Sequence, residues 1–300
     1  MRERRFLSLD SKKYVLGRLL SVKAERHYFK NRSGLNLHYL TWGNSEHPAV
    51  ILLHGLRSYA LTWQILAPIL AENFYVIALD QRGRGESDWA LDYRTYQTTY
   101  YVYDVEDLVE NLNLSEFILV GHSLGGANAL QYSLLHPNQI KALVIEDIGP
   151  GSSIQGEGAE RIRREMKTTP LTFENWQDAA AFWRKLRPLI DDQGIQSRLD
   201  NTLIEKEGKI TWRHDQDGIS KARLEITSTD LWPAVDALTC PTLFIKGGVS
   251  DFLSLEIIEE ITTRKPHIQF IEIAGASHYV HDDQPKIFNS SVQNFLNNCV

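Results

Sequence analysis

A chain of 300 residues, 43% of them hydrophobic, can bury one large α/β core or two small ones. Its formal net charge of −6 provides no positive field to gather phosphates, so nucleic acid is not an expected partner. The two cysteines, Cys240 and Cys299, form no C-x-x-C pair, which argues against a disulfide framework and a cysteine zinc site; a reducing, cytoplasmic setting is the expectation.

Residues 1–24 read as an N-terminal extension. Positions 1–26 hold eight Lys/Arg against three Asp/Glu, and no continuous apolar run follows Met1-Arg2-Glu3-Arg4-Arg5, so a solvated, partly helical arm is expected rather than a secretory signal. No apolar stretch approaches the roughly 20 residues that span a bilayer, and no stable membrane insertion is expected.

Short apolar runs then alternate with helical patterns. Strands are predicted at about 26–30, 35–42, 49–54, 75–80, 117–120, 142–146, 242–246 and 269–273. Helices are predicted at 59–72, 99–113, 124–136, 255–263 and 285–297. Val50-Ile51-Leu52-Leu53 and Leu143-Val144-Ile145 are apolar without alternation, as strands buried on both faces should be. This rhythm predicts an α/β fold with a mostly parallel eight-stranded sheet flanked by helices. The short link Asn31-Arg32-Ser33-Gly34 makes the first two strands an antiparallel hairpin at one edge. Between 149 and 237 the strand rhythm stops and aromatics accumulate. That segment reads as a helical cap, or lid, inserted into a core formed by 25–148 and 238–300.

The chemistry centres on Gly121-His122-Ser123-Leu124-Gly125-Gly126, directly after the apolar run Phe117–Val120. A strand that ends in G-x-S-x-G and passes straight into a helix is a nucleophile elbow, with Ser123 at the apex of a tight turn. Glycines at 121 and 125 spare the turn a steric clash, and the helix N-terminus favours developing negative charge beside the serine.

A serine nucleophile needs a base, a group that orients the base, and donors for an oxyanion. His278, in the loop after the last strand, is assigned as the base. His54 belongs to the loop expected to form the oxyanion hole, His122 should point away from the pocket, and His281 reads as solvent-facing or structural. The orienting acid has two main candidates, with Glu146 a third. Asp251, after Gly247-Gly248-Val249-Ser250, gives the chain order Ser, Asp, His and is preferred; Asp147, at the end of the preceding strand, is the alternative. The backbone N–H groups of Leu56 and Leu124 are expected to form the oxyanion hole. Arg57, beside Leu56, is a candidate contact for a substrate carboxylate or phosphate, and Trp183 a candidate contact from the cap. The glycines of Asp80-Gln81-Arg82-Gly83-Arg84-Gly85-Glu86-Ser87 lack the P-loop order, so this string reads as a structural turn tied down by Asp80 and Arg82.

Together, His54-Gly55-Leu56, the string 80–87, Gly121–Gly126, Gly247–Asp251 and 275–285 resemble the α/β-hydrolase superfamily over residues 25–298, in its capped esterase and thioesterase branch. The resemblance implies a serine hydrolase that cleaves a carboxylic ester or thioester of a small acyl substrate through an acyl-enzyme, without metal or organic cofactor. It also implies that some members carry the acid after the sixth strand, where Asp147 stands. A C–C bond hydrolase or lactonase would use the same residues, since reaction choice lives in pocket shape. A non-catalytic ligand receptor on the same fold is the reading of another class.

Overall fold

The computed structural model describes residues 23–299. The expected N-terminal extension therefore lies outside the described residues, except for its last two positions.

Eight strands form one sheet: β1 (Glu25–Lys30), β2 (Asn36–Trp42), β3 (Ala49–Leu53), β4 (Tyr75–Leu79), β5 (Phe117–His122), β6 (Ile140–Glu146), β10 (Thr242–Gly247) and β11 (Gln269–Ile273). Their order across the sheet is β1-β2-β4-β3-β5-β6-β10-β11. β1 and β2 make the expected antiparallel hairpin, with Gly34 at φ +82° in its turn. β2 also runs antiparallel to β4, and the remaining neighbours are parallel. The six parallel strands therefore deliver their carboxyl ends to one edge.

The helices of six or more residues are α1 (Thr98–Asn111), α2 (Leu124–Leu135), α3 (Glu157–Thr168), α4 (Trp176–Leu186), α5 (Asp192–Thr202), α6 (Gln216–Glu225), α7 (Trp232–Ala237), α8 (Leu255–Arg264) and α9 (Pro285–Asn297). The sheet is covered on both faces. Alternate residues of β3 enter opposite cores, with Ile51 and Leu53 packing in one, and Val50 and Leu52 in the other. No helix among the described residues is long and apolar enough to cross a membrane.

Two segments differ from the sequence expectation. The helix expected over 59–72 is broken into a 3₁₀ turn at Ala60–Trp63 and a single α-turn at Ala67–Leu70. Pro68 cannot donate a helical hydrogen bond, and the Ala60 N–H is drawn off to Asp80 Oδ1 at 2.6 Å. The segment between β6 and β10 carries α3 to α7, but it also holds a small antiparallel sheet, order β7-β9-β8, formed by Thr172–Phe173 (β7), Leu203–Lys206 (β8) and Lys209–Trp212 (β9). Glu207 and Gly208, both at positive φ, make the tight β8–β9 turn. Phe173, Trp183 and Trp212 cluster with apolar residues of the same segment.

Candidate active site

Ser123 lies between β5 and α2 with φ +50° and ψ −113°, a conformation that L-residues rarely adopt. Its N–H is anchored to the Glu146 carbonyl at 2.9 Å. A Cβ added at Gly121 would meet the Gly125 carbonyl oxygen at 2.4 Å, and one at Gly125 would meet that of Leu53 at 2.1 Å. The turn closes only because both side chains are missing.

His278 follows β11 and bridges the site. Its Nε2 lies 2.9 Å from Ser123 Oγ, and its Nδ1 lies 2.7 Å from Asp147 Oδ2. Phe252 stacks on the imidazole at 4.3 Å between ring centroids. The His122 Nε2–H donates to the His278 carbonyl at 2.9 Å, which holds the backbone of the loop. Burial, and then the neighbouring His278 and His281, keep His122 well below its ordinary pKa and therefore neutral.

The carboxylate at His278 is Asp147, not Asp251. Asp147 directly follows β6 at φ +50° and is fully buried. Besides His278 it accepts the Gly247 N–H at 3.0 Å and the Ser250 hydroxyl at 2.5 Å, so both of its oxygens are satisfied. Asp251 is turned outward, where Arg161 grips it with two hydrogen bonds of 2.7 and 2.8 Å. That contact holds its carboxyl below the usual range. The Gly247–Asp251 loop therefore serves the site through Ser250, a residue the sequence reading passed over for its acidic neighbour.

Leu56 and Leu124 border the same cavity as Ser123 and His278. Neither backbone N–H donates a hydrogen bond among the described residues. The loop carrying Leu56 presses on the elbow, since a Cβ at Gly55 would lie 2.6 Å from His122 Nδ1. Arg84 accounts for part of this placement: its Nε donates to the Leu56 carbonyl at 3.0 Å. His54 Nδ1–H donates to the Gly55 carbonyl at 2.8 Å while its Nε2 accepts the Gln81 N–H, and burial lowers its pKa to about 4.

Other expectations fare variously. His122 is buried beside the elbow, with its Nε2 turned to the His278 carbonyl. His281 is buried, with Nδ1 2.8 Å from Glu146 and Nε2 3.0 Å from Thr62 Oγ1. Burial opposes its charged form, but Glu146 and Asp282 outweigh that and raise its pKa. His122, Glu146 and His281 could each turn one ligand atom toward a common point. Glu146 hydrogen-bonds His281, and the His122 Nε2–H donates to the His278 carbonyl while its buried Nδ1 has no partner among the described residues. Arg57 and Trp183 both border the cavity. Arg57 is paired with Glu165 and Thr169, so its charge is already answered. The string at 80–87 is the expected structural turn: Asp80 accepts from Ala60, His38 and Glu86, and Arg82 forms a buried pair with Asp104 at 2.6 Å.

The sn-1-specific diacylglycerol lipase ABHD11 of Mus musculus is 28% identical over 259 residues, covering 85% of this chain and 82% of its own. The 2-(acetamidomethylene)succinate hydrolase of Mesorhizobium japonicum is 26% identical over 249 residues, covering 83% and 88%. The crystal structure of an alpha/beta hydrolase from Novosphingobium aromaticivorans superposes with a TM-score of 0.81 at 28% identity, covering 93% of this chain and 99% of that one. The family described as alpha/beta hydrolase fold matches residues 48–285. With its sheet order, its elbow and that match in agreement, the chain belongs to the alpha/beta hydrolase fold family.

Proposed function

We propose that this protein hydrolyses a carboxylic ester or thioester through an acyl-enzyme formed on Ser123. The observation that carries the reading is the relay of Ser123 Oγ, His278 and Asp147, joined at 2.9 and 2.7 Å beside two undonated backbone N–H groups.

His278 Nε2 takes the Ser123 proton as Oγ attacks the acyl carbon. The N–H groups of Leu56 and Leu124 receive the oxyanion of the tetrahedral intermediate. Asp147 fixes the imidazole tautomer with the proton on Nδ1 and stabilises the imidazolium that forms. The intermediate collapses, the acyl–oxygen or acyl–sulfur bond breaks, and His278 returns its proton to the leaving group. Water then attacks the acyl-enzyme with His278 again as base, releasing the acid and restoring Ser123. The aromatic and aliphatic lining supports an acyl substrate of small-molecule size. The free thiols Cys240 and Cys299 support a reducing compartment such as the cytoplasm.

The test is turnover of p-nitrophenyl acyl esters by wild type and by Ser123→Ala. The variant should lose turnover while keeping its circular-dichroism spectrum and melting temperature. Unchanged turnover in a folded Ser123→Ala protein overturns the assignment.

A further inference from the structure

The cavity in front of Ser123 carries an unusual charge. Arg57, Arg84, Arg187, Arg198 and Arg223 all border it, and none of the described residues lining it is Asp or Glu. This is the reverse of the chain as a whole, whose net charge is −6.

The guanidinium groups are not equally compensated. Arg57 pairs with Glu165. Arg187 and Arg198 share one carboxylate, Asp282. Arg84 and Arg223 have no carboxylate partner among the described residues. Arg84 is fully buried; it donates to the carbonyls of Leu56 and Arg82 and to the Tyr101 hydroxyl, yet its Nη2 finds no partner among the described residues. Arg223, on α6, reaches only neutral oxygens, the Ser153 carbonyl at 2.6 Å and Ser228 Oγ at 3.4 Å. Arg223 is half-buried, and burial with the nearby Arg163 lowers its pKa.

Burying an uncompensated charge or donor is costly, and such groups persist where a ligand satisfies them. A cavity lined by donors and cations and free of acids is complementary to an oxyanion. We infer that the substrate carries an oxyanion, a carboxylate or a phosphate, in addition to its scissile acyl group, and that Arg223, on this arginine-lined wall, reads it. This rests on the hydrolase reading for the identity of the cavity, but it concerns binding and can be measured apart from turnover.

The experiment uses the full chain carrying Ser123→Ala and three methyl esters of matched chain length: monomethyl glutarate, methyl 4-phosphonobutyrate and neutral methyl valerate. Titration calorimetry at low ionic strength should give at least tenfold tighter binding for a charged ester than for the valerate. The charged ester that binds more tightly tells a carboxylate from a phosphate substrate. Adding Arg223→Gln, or separately Arg223→Met, should shrink that preference about tenfold, and a melting temperature taken on each variant identifies any that does not fold. Equal affinity for charged and neutral esters overturns the inference, as does a preference that both folded variants leave intact. Because Ser123→Ala is used throughout, failure here leaves the hydrolase reading standing. Failure of the hydrolase reading would appear instead as Ser123-independent turnover in wild type.

Discussion

Asp147 Oδ2 accepts from Nδ1 of His278 at 2.7 Å, while Asp251, in the loop that also lies beside the imidazole, is held by Arg161. The two aspartates therefore make opposite kinetic predictions. Asp147→Asn removes the acceptor that fixes the tautomer and should lower kcat by about 10³- to 10⁴-fold. Asp251→Asn removes only a partly exposed ion pair and should change kcat by less than about tenfold. Steady-state kinetics on one p-nitrophenyl ester checks both, and the reverse ranking would restore Asp251 as the orienter.

The elbow predicts a steric result. In Gly125→Ala the new methyl group meets a backbone oxygen of β3, which cannot move aside as a flexible side chain could. Overpacking of this kind should cost about 3 kcal/mol, seen as a lower urea midpoint and poor yield of folded protein. A Gly125→Ala protein with wild-type stability and activity would contradict the described turn.

Buried neutral histidines set the acid side of the stability curve. Burial lowers His54 to about 4 and His214 to about 3, and also depresses His122. The unfolded chain titrates these groups near 6.5, so below that pH it binds more protons than the folded chain does. Their contribution is present above 6.5 and is lost as pH falls toward the folded values. The raised His281 acts in a different window: its contribution is full below 6.5 and is lost as pH rises through its folded pKa. The depressed Asp251 and Asp282 matter only below about 4. Urea unfolding at pH 6.5 and at pH 5.0 therefore isolates the lowered histidines. It should show a loss on the order of several kcal/mol, and an unchanged midpoint would mean that these rings are protonated in the folded state.

The core strands were legible because burial on both faces leaves unbroken apolar runs such as Val50–Leu53 and Leu143–Ile145. The elbow was legible because a strand, a glycine-flanked serine and a helix must follow one another without a gap. The orienting acid was not. Two aspartates stand at the same sheet edge, and the choice between them depends on Arg161, which comes from α3 far along the chain. Ser250 was hidden for the same reason, since its role follows from the position of Asp147. The β7-β9-β8 sheet escaped because its strands are two to four residues long and its turn uses Glu207-Gly208 in place of the usual Asn-Gly or Asp-Gly signal. Of the cavity's charge only Arg57 was legible, because its five arginines come from five separate places in the sequence.

The most direct test of the central claim is covalent. Treatment of the wild-type protein with a fluorophosphonate, followed by peptide mass spectrometry, should place one adduct on Ser123 and abolish ester turnover in proportion to labelling. Ser123→Ala should remain unlabelled at that peptide, and Asp147→Asn should label far more slowly than Asp251→Asn. Ester turnover that persists while Ser123 is fully modified would contradict the account.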